Sequence, residues 1–388
     1  MRRWPAHLAK YLRTAVAETD DLIDAARRRF DAKFSRNGPQ HIAAYRGYAD
    51  SAGVELQGRI LADAPLGGPK EDDDWWDNLW NTYRRFESDE VPHVALRASF
   101  RDASAETTSD AEGYYQLSLP TGAPGSDQLW DNATIQLLDG TLATLQPVLQ
   151  IGPAAKFGVI SDIDDTVLES SITDWKLAAQ LVFLHNARTR KPLQGLAALY
   201  EALQRGAQGE DRNPIFYVSS SPWNLYDLLD DFMELNAIPA GPMFLRDLGF
   251  DPGKFIQTPG HGHKLERVRE LVHRLPNLRW ILIGDSGQAD AELYAEAAQE
   301  FGDRILAIYI RDVDLEKDSA RDRYVDSFIE KVAGTRVPML RVADSSAITA
   351  HAVGLGLIAE AALPGIAAEV RRDQNRPTLN EAKAPLAQ

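Results

Sequence analysis

From residue 155 onward, short apolar runs alternate with segments in which apolar residues recur at helical spacing. The apolar runs are Phe157–Ile163, Ile215–Val218, Trp280–Ile283 and Ile305–Ile310. The segments with helical spacing between them are 196–203, 225–235 and 265–275. Buried strands that alternate with helices are typical of α/β proteins with a parallel sheet. The pattern therefore predicts an α/β domain with a doubly wound parallel sheet over residues 154–345.

The pattern of apolar residues before and after that domain differs from the pattern within it. Between residues 39 and 153 apolar side chains alternate with polar ones, as in Val94, Leu96, Ala98 and Phe100. Alternation of this kind, interrupted by turn residues, predicts a β-sandwich domain. Residues 1–38 have the spacing of one amphipathic helix that leads into it. Residues 346–388 are predicted to form a C-terminal helix, from about residue 347 to 368, and a disordered tail from residue 371 onward.

Composition and charge narrow the functional classes. The 388 residues carry a formal net charge of -15, so attraction to nucleic acid is not expected, whereas a divalent cation would be drawn in. The chain has 0 Cys, which excludes disulfides and thiolate chemistry and suits a reducing compartment. No segment has the apolar length of a signal peptide or a membrane span. We expect a cytoplasmic protein that docks peripherally at membranes, while the oligomeric state stays open.

Polar residues with catalytic potential follow the predicted strands or begin the predicted helices. They are Asp162, Asp164, Ser219, Lys264, Asp285 and Asp290. Each motif alone is common as a turn, a helix cap or a solvated side chain. In this order, and at the carboxyl ends of strands where open α/β sheets bind ligands, the set points to phosphoryl transfer.

The chemistry assigns a role to each of these side chains. Asp162 would attack phosphorus and form an aspartyl phosphate. Asp164 would protonate the leaving oxygen and then deprotonate water. Ser219 would bind phosphate oxygens, and Lys264 would neutralise the developing charge. Because two anions repel a phosphate, Mg²⁺ is expected, with Asp162 and Asp285 among its oxygen ligands.

Longer strings of residues resemble a known group of enzymes. The four motifs are similar to those of the haloacid dehalogenase superfamily of phosphatases. Within it, the chain resembles the actin-patch phosphatidate phosphatase family and its bacterial relatives. The strings that carry this resemblance include 45–48, 57–59, 75–80, 83–90, 161–166, 217–223 and 282–287.

This resemblance implies a Rossmann-like core, magnesium and an aspartyl-phosphate mechanism. It implies that Thr166 belongs to the first motif and Asp290 to the last. We expect Thr166 and Ser220 to join Ser219 in binding substrate, and Asp164 and Asp290 to complete the metal site.

The resemblance implies phosphatidate or a related lipid phosphate as substrate. Short intervals between the motifs leave room for only a small lid, and an open site favours a bulky substrate. Two alternatives remain: a phosphatase for protein or polynucleotide phosphates, and a catalytically inert binding module.

Several residues near the motifs have less certain roles. Arg188, Arg190 and Lys191 form a basic cluster, which either contacts a lipid headgroup or is a solvated loop. Trp223 either contacts an acyl chain or anchors its loop. His261 and His263 are predicted to have a loop role rather than to bind metal.

Overall fold

The computed structural model describes residues 40–62, 91–122, 128–163, 194–246, 262–313 and 319–374. The predicted N-terminal helix, the aromatic segment 75–80 and the predicted tail beyond residue 374 lie outside these ranges. In the part of the chain that the structure describes, no helix is long and apolar enough to cross a membrane.

The first described part is an eight-stranded β domain. Its strands are β1 (His41–Ala44), β2 (Gly47–Ala49), β3 (Val54–Leu61), β4 (Ala95–Phe100), β5 (Ala103–Thr108), β6 (Tyr114–Leu119), β7 (Trp130–Leu137) and β8 (Ala143–Gln150). The hydrogen-bonded order is β1-β3-β2-β8-β7-β4-β5, and β6 pairs with β3. All eight strands therefore belong to one connected sheet, and its division into the two sheets of a sandwich stays a prediction.

One face of this sheet encloses a core because its apolar residues alternate along the strands. Val54, Leu56 and Ile60 of β3 are buried, and they belong to one cluster with Leu96 of β4 and Ile135 of β7. Strands far apart in the pairing order therefore pack together, so the sheet curves over its own apolar face. The period-two pattern predicted this core.

The second part is built on a six-stranded parallel sheet. Its strands are β9 (Phe157–Asp162), β10 (Ile215–Pro222), β11 (Met243–Arg246), β12 (Arg279–Asp285), β13 (Ile305–Arg311) and β14 (Met339–Val342). They lie in the order β11-β10-β9-β12-β13-β14, and every recorded pair is parallel. The prediction of an α/β domain with a parallel sheet is confirmed. Since β9 is a central strand, its carboxyl end lies between β10 and β12.

Helices cover both faces of the parallel sheet. They are α1 (Leu196–Arg205), α2 (Tyr226–Leu235), α3 (Gly262–Arg274), α4 (Asp290–Phe301), α5 (Ala320–Val332), α6 (Ser345–Gly354) and α7 (Leu363–Gln374). Apolar residues of α1, α2, α6 and α7 belong to one core cluster, and those of α3, α4 and α5 belong to another. Each helix buries one apolar stripe, as expected for helices that flank a sheet.

The C-terminal region differs from its prediction. The sequence predicts one helix over 347–368 and a tail from 371, but α6 ends at Gly354, and α7 begins at Leu363 and continues to Gln374. Gly356 has a φ of 68°, a left-handed conformation that ends regular helix and that glycine adopts without strain. Pro364 lies in the first turn of α7, where proline is tolerated.

The β domain and the parallel-sheet domain share apolar contacts. Ala43 and Tyr45 belong to the core cluster of α1 and α2, and Leu149 and Ile151 belong to that of α3 and α4. Tyr48 also packs edge-on against Phe216, with ring centroids 5.3 Å apart. The two parts are thus packed against each other through buried side chains.

Candidate active site

Asp162 is the last residue of the central strand β9. The preceding Ser161 is buried, and its hydroxyl lies 2.6 Å from the hydroxyl of Tyr200 on α1 and donates to the Asp162 carbonyl at 2.9 Å. Burial raises the pKa of Tyr200 above its ordinary value, so this phenol stays protonated as a hydrogen-bonding group. These contacts fix the backbone at the point where β9 delivers Asp162 to the edge of the sheet.

Ser219 and Ser220 lie near the carboxyl end of the neighbouring strand β10. Val218 is the register partner of Asp162, so Ser219 lies one residue beyond the position opposite Asp162. Ser219 is fully buried, and its Oγ accepts a hydrogen bond from the Ser221 backbone at 2.9 Å. Ser220 is half-buried. The predicted substrate-binding serines therefore lie on the strand directly beside Asp162.

Lys264 lies in the first turn of α3 and is completely buried. Its Nζ is 2.8 Å from Asp162 Oδ1 and 2.9 Å from Asp290 Oδ1, and it donates to Gln288 Oε1 at 2.8 Å. A buried ammonium is costly unless it is paired and hydrogen-bonded, and these contacts meet that requirement. Lys264 thus links the end of β9 to the start of α4.

Asp285 and Asp290 flank the turn between β12 and α4. Asp285 ends β12 and Asp290 begins α4, and both are buried. Asp290 Oδ2 accepts the Asp285 backbone N–H at 3.1 Å, and Asp285 Oδ1 accepts those of Gly287 and Gln288 at 2.5 and 3.1 Å. The turn is therefore held by its own two carboxylates.

Gly284 allows this close packing. A Cβ at position 284 would lie 2.5 Å from Asp290 Oδ2 and 2.7 Å from Asp290 Cβ. Such contacts are far inside normal separations, so only glycine lets β12 approach the carboxylate that also holds Lys264.

The carboxylates of Asp162, Asp285 and Asp290 converge. Each offers one oxygen, and the three oxygens lie within 4.8 Å of one another. Oxygen ligands at this spacing suit a hard cation such as Mg²⁺. Within this described cluster three carboxylates face one ammonium, so a divalent cation would balance the remaining negative charge. The donor set fits the predicted ion.

The described residues hold most of the predicted catalytic and binding side chains. Asp164 and Thr166 lie outside the described residues, as do Arg188, Arg190 and Lys191. The structure brings together Asp162, Lys264, Asp285 and Asp290 from three separate segments, with Ser219 and Ser220 on the adjacent strand.

The structure also gives surroundings for Trp223 and His263. Trp223 stacks on Tyr45 of the β domain, with ring centroids 4.8 Å apart, which favours the anchoring role. His261 lies outside the described residues, but His263 is in the first turn of α3 and not in a loop. Burial and then the charges of Arg267 and Arg246 lower the pKa of His263 to about 4, so it is neutral at pH 7.

Gln288 is a contact of Lys264 that sequence reasoning did not single out. Its Oε1 is one of the three recorded acceptors around Nζ. Its position between Asp285 and Asp290 was the available signal, because a turn of four residues that brings both carboxylates to one point brings the residues between them there as well.

Part of the chain matches a known protein family. Residues 157–312 match the family described as phosphatidate phosphatase APP1, catalytic domain. Over 155 residues the chain is 34% identical to phosphatidate phosphatase APP1 of Saccharomyces cerevisiae. This aligned segment covers 40% of this chain and 25% of the yeast protein. It is 28% identical over 156 residues to an uncharacterized protein of Schizosaccharomyces pombe, again 40% and 25% of the two lengths.

These matches cover a minority of each chain. The matched segment spans about a quarter of the length of both fungal proteins. Among solved structures, a carbohydrate acetylesterase from Xanthomonas citri has 13% identity and a TM-score of 0.30, covering 78% of this chain and 68% of that one. A score this low carries no conclusion. The similarity to the phosphatidate phosphatase catalytic domain spans β9 to the end of β13, and so includes Asp162, Ser219, Lys264, Asp285 and Asp290.

Proposed function

We propose that this chain is a Mg²⁺-dependent phosphomonoester phosphatase with a haloacid dehalogenase-like core, and that phosphatidate or a related lipid phosphate is its substrate. The observation that carries the proposal is the buried Lys264 ammonium 2.8 Å from Asp162 Oδ1, with Asp285 and Asp290 beside it at the carboxyl edge of the parallel sheet. The lipid substrate is supported by the similarity of residues 157–312 to a phosphatidate phosphatase catalytic domain.

Asp162 is the proposed nucleophile. A carboxylate oxygen of Asp162 forms a bond to phosphorus while the bond from phosphorus to the ester oxygen breaks, and Asp164 gives its proton to that oxygen. In the second step Asp164 takes a proton from water, and the water oxygen attacks phosphorus. The bond to Asp162 breaks, inorganic phosphate leaves and the carboxylate is regenerated.

Lys264, Ser219 and Ser220 supply electrostatic stabilisation of the phosphoryl group. Lys264 is already hydrogen-bonded to Asp162, so its positive charge is in place before phosphorus arrives and needs no reorganisation. Ser219 and Ser220 lie on the adjacent strand and would donate to phosphate oxygens. When bound by Asp162, Asp285 and Asp290, Mg²⁺ would offset the repulsion between carboxylates and phosphate.

The test is phosphate release from a panel of substrates with MgCl₂ present. The panel contains phosphatidate in vesicles, a nucleotide, a sugar phosphate, a phosphopeptide and an aryl phosphate. We expect the wild-type chain to hydrolyse phosphatidate best and Asp162→Asn to abolish hydrolysis of every substrate. Preference for the phosphopeptide or nucleotide would replace the lipid assignment with the alternative substrate class.

The matched control is Asp303→Asn, which removes an exposed carboxylate from the turn after α4. We expect this variant to keep wild-type rates. Equal rates of phosphate release by the Asp162→Asn and wild-type proteins would contradict the assignment of Asp162 as nucleophile. If the wild-type chain released phosphate from no phosphomonoester, the inert binding module would be the remaining alternative.

A further inference from the structure

One of the contacts between the β domain and the α/β domain is made by a two-residue link between β1 and β2. Tyr45 and Arg46 form this link, which we call the β1–β2 corner. The Tyr45 ring lies 4.8 Å from the Trp223 ring in a stacked arrangement and 4.2 Å from the tilted Tyr226 ring, centroid to centroid. Trp223 directly follows β10, and Tyr226 begins α2.

Arg46 adds polar contacts to the same place. Its backbone N–H donates to the Tyr226 hydroxyl at 2.9 Å, and its guanidinium forms an ion pair with Asp230 of α2. The side chains of Arg46 and Asp230 are 22% and 30% exposed, so the pair is partly shielded from water. The corner thus contacts Trp223, the residue that follows β10, and the first turns of α2.

The corner is itself held rigidly by the β domain. The Tyr45 backbone N–H donates to the Gln57 carbonyl at 3.1 Å, and Gln146 Nε2 donates to the Tyr45 carbonyl at 2.5 Å. Gln146 is completely buried and also accepts from the Tyr115 hydroxyl at 3.2 Å. A buried, fully engaged amide of this kind fixes a unique geometry.

The contacted segment carries the proposed phosphate-binding group. Ser219 lies four residues before Trp223, and its Oγ is hydrogen-bonded to the Ser221 backbone within the same segment. The end of β10 pairs with β11, where Pro222 is the register partner of Arg246, and Trp223 directly beyond this pairing is the residue on which the Tyr45 ring stacks. The aromatic partners of Trp223 include the Tyr45 ring of the β domain.

We infer that the β1–β2 corner positions the phosphate-binding segment 219–222, so that the β domain is a working part of the active site rather than a separate binding module. Tyr45 and Arg46 are positioning residues: they act through Trp223, Tyr226 and Asp230 and do not touch the reacting atoms. This inference rests on the proposed phosphatase function for the phosphate-binding role of segment 219–222 and for its kinetic readout.

The kinetic test compares Tyr45→Ala, Tyr45→Phe and Arg46→Gln in the full chain, with an aryl phosphate as substrate. Displacement of a phosphate-binding group weakens substrate binding, so we expect KM to rise about tenfold in Tyr45→Ala and less in Arg46→Gln. Tyr45→Phe retains the ring and should behave as wild type. A merely structural role would lower the fraction of active protein, and hence kcat, at unchanged KM.

The matched control is Arg97→Gln, which breaks an exposed ion pair with Glu106 within the same β domain. Its KM should equal that of the wild type. A reciprocal pair provides a second control. Arg46→Asp combined with Asp230→Arg restores an ion pair of opposite polarity, so its KM should lie between the raised KM of Arg46→Asp alone and the wild-type value.

Amide hydrogen exchange tests the inference without any activity. Peptides covering residues 219–226 should exchange faster in Tyr45→Ala than in wild type, under conditions where both proteins stay folded, and should be unchanged in Arg97→Gln. Unchanged exchange there, or an unchanged KM, would overturn the inference. If the wild-type chain hydrolyses no phosphomonoester, the proposed function fails and hydrogen exchange alone decides the positioning role.

Discussion

Lys264 is the residue on which the charge balance of the site depends. Its ammonium contacts two carboxylates, Asp162 and Asp290, and all three side chains are almost completely buried. Buried carboxylates repel one another in a medium of low polarisability, and a cation between them offsets that repulsion. The same ammonium that stabilises the fold is also the group that would stabilise phosphoryl transfer at Asp162.

Replacement of Lys264 by methionine should therefore affect stability and activity together. Methionine fills much of the same volume but leaves Asp162 and Asp290 without their cation. We expect Lys264→Met to lower the free energy of unfolding by about 3–5 kcal/mol, and to reduce kcat by about 10²–10³. Urea unfolding and phosphate release provide the measurements.

The matched control for that variant is Lys156→Met, at an exposed lysine just before β9. Lys156→Met should change neither the free energy of unfolding nor kcat measurably. If Lys264→Met kept the wild-type unfolding midpoint, the ammonium would not be compensating the buried carboxylates.

Gly284 sets how closely β12 approaches Asp290. An alanine methyl group at position 284 would lie 2.5 Å from Asp290 Oδ2, so the carboxylate must move away from the Lys264 ammonium or from the Asp285 backbone N–H. We expect Gly284→Ala to cost about 1–3 kcal/mol of stability, and to reduce phosphatase activity at least about tenfold. Gly334→Ala is the matched control, because a Cβ there meets nothing within 4 Å.

At the scale of elements, α7 acts as the cap of α1. Gly195 precedes α1 and has no side chain, so it cannot cap the helix itself. Asp373 Oδ2 accepts the Gly195 N–H at 2.9 Å, and Glu369 Oε2 accepts the Ala198 N–H at 3.0 Å. Two carboxylates at a helix N-terminus also interact favourably with the helix dipole.

Removal of these carboxylates should therefore weaken the α/β domain. We expect Asp373→Ala to lower the free energy of unfolding by about 0.5–2 kcal/mol, and the double variant with Glu369→Ala to lower it further. Glu360→Ala, at an exposed position between α6 and α7, should have no effect in the same urea titration. An unchanged midpoint in the double variant would show that α1 does not depend on α7 for its cap.

Local patterns predicted the elements better than the contacts between them. The strand ends that carry Asp162 and Asp285 and the helix start that carries Lys264 follow from apolar periodicity, which depends on near neighbours in sequence. The Arg46 contact with Tyr226 joins residues 180 positions apart, and periodicity holds no information about such a pair. The break between α6 and α7 was missed because Gly354 and Gly356 read equally well as small residues of one packed helix.

For the whole molecule, the formal charge of -15 makes the binding of cations favourable, but a specific site has to be separated from general screening. Asp162, Asp285 and Asp290 offer oxygens within 4.8 Å of one another, and Lys264 supplies one positive charge against their three negative ones. A folded state that gathers these carboxylates should bind Mg²⁺ more tightly than the unfolded chain, in which they are dispersed.

Magnesium should therefore raise the thermal stability of the whole chain by mass action. At a concentration 100 times its Kd the expected stabilisation is about 2.7 kcal/mol. MgCl₂ should raise the unfolding temperature in calorimetry more than NaCl at equal ionic strength, because NaCl only screens the net charge. Asp285→Asn should lose most of the shift and Asp303→Asn, at an exposed carboxylate, should keep it. A shift that survives in Asp285→Asn would place the ion elsewhere, because general screening does not depend on one buried side chain.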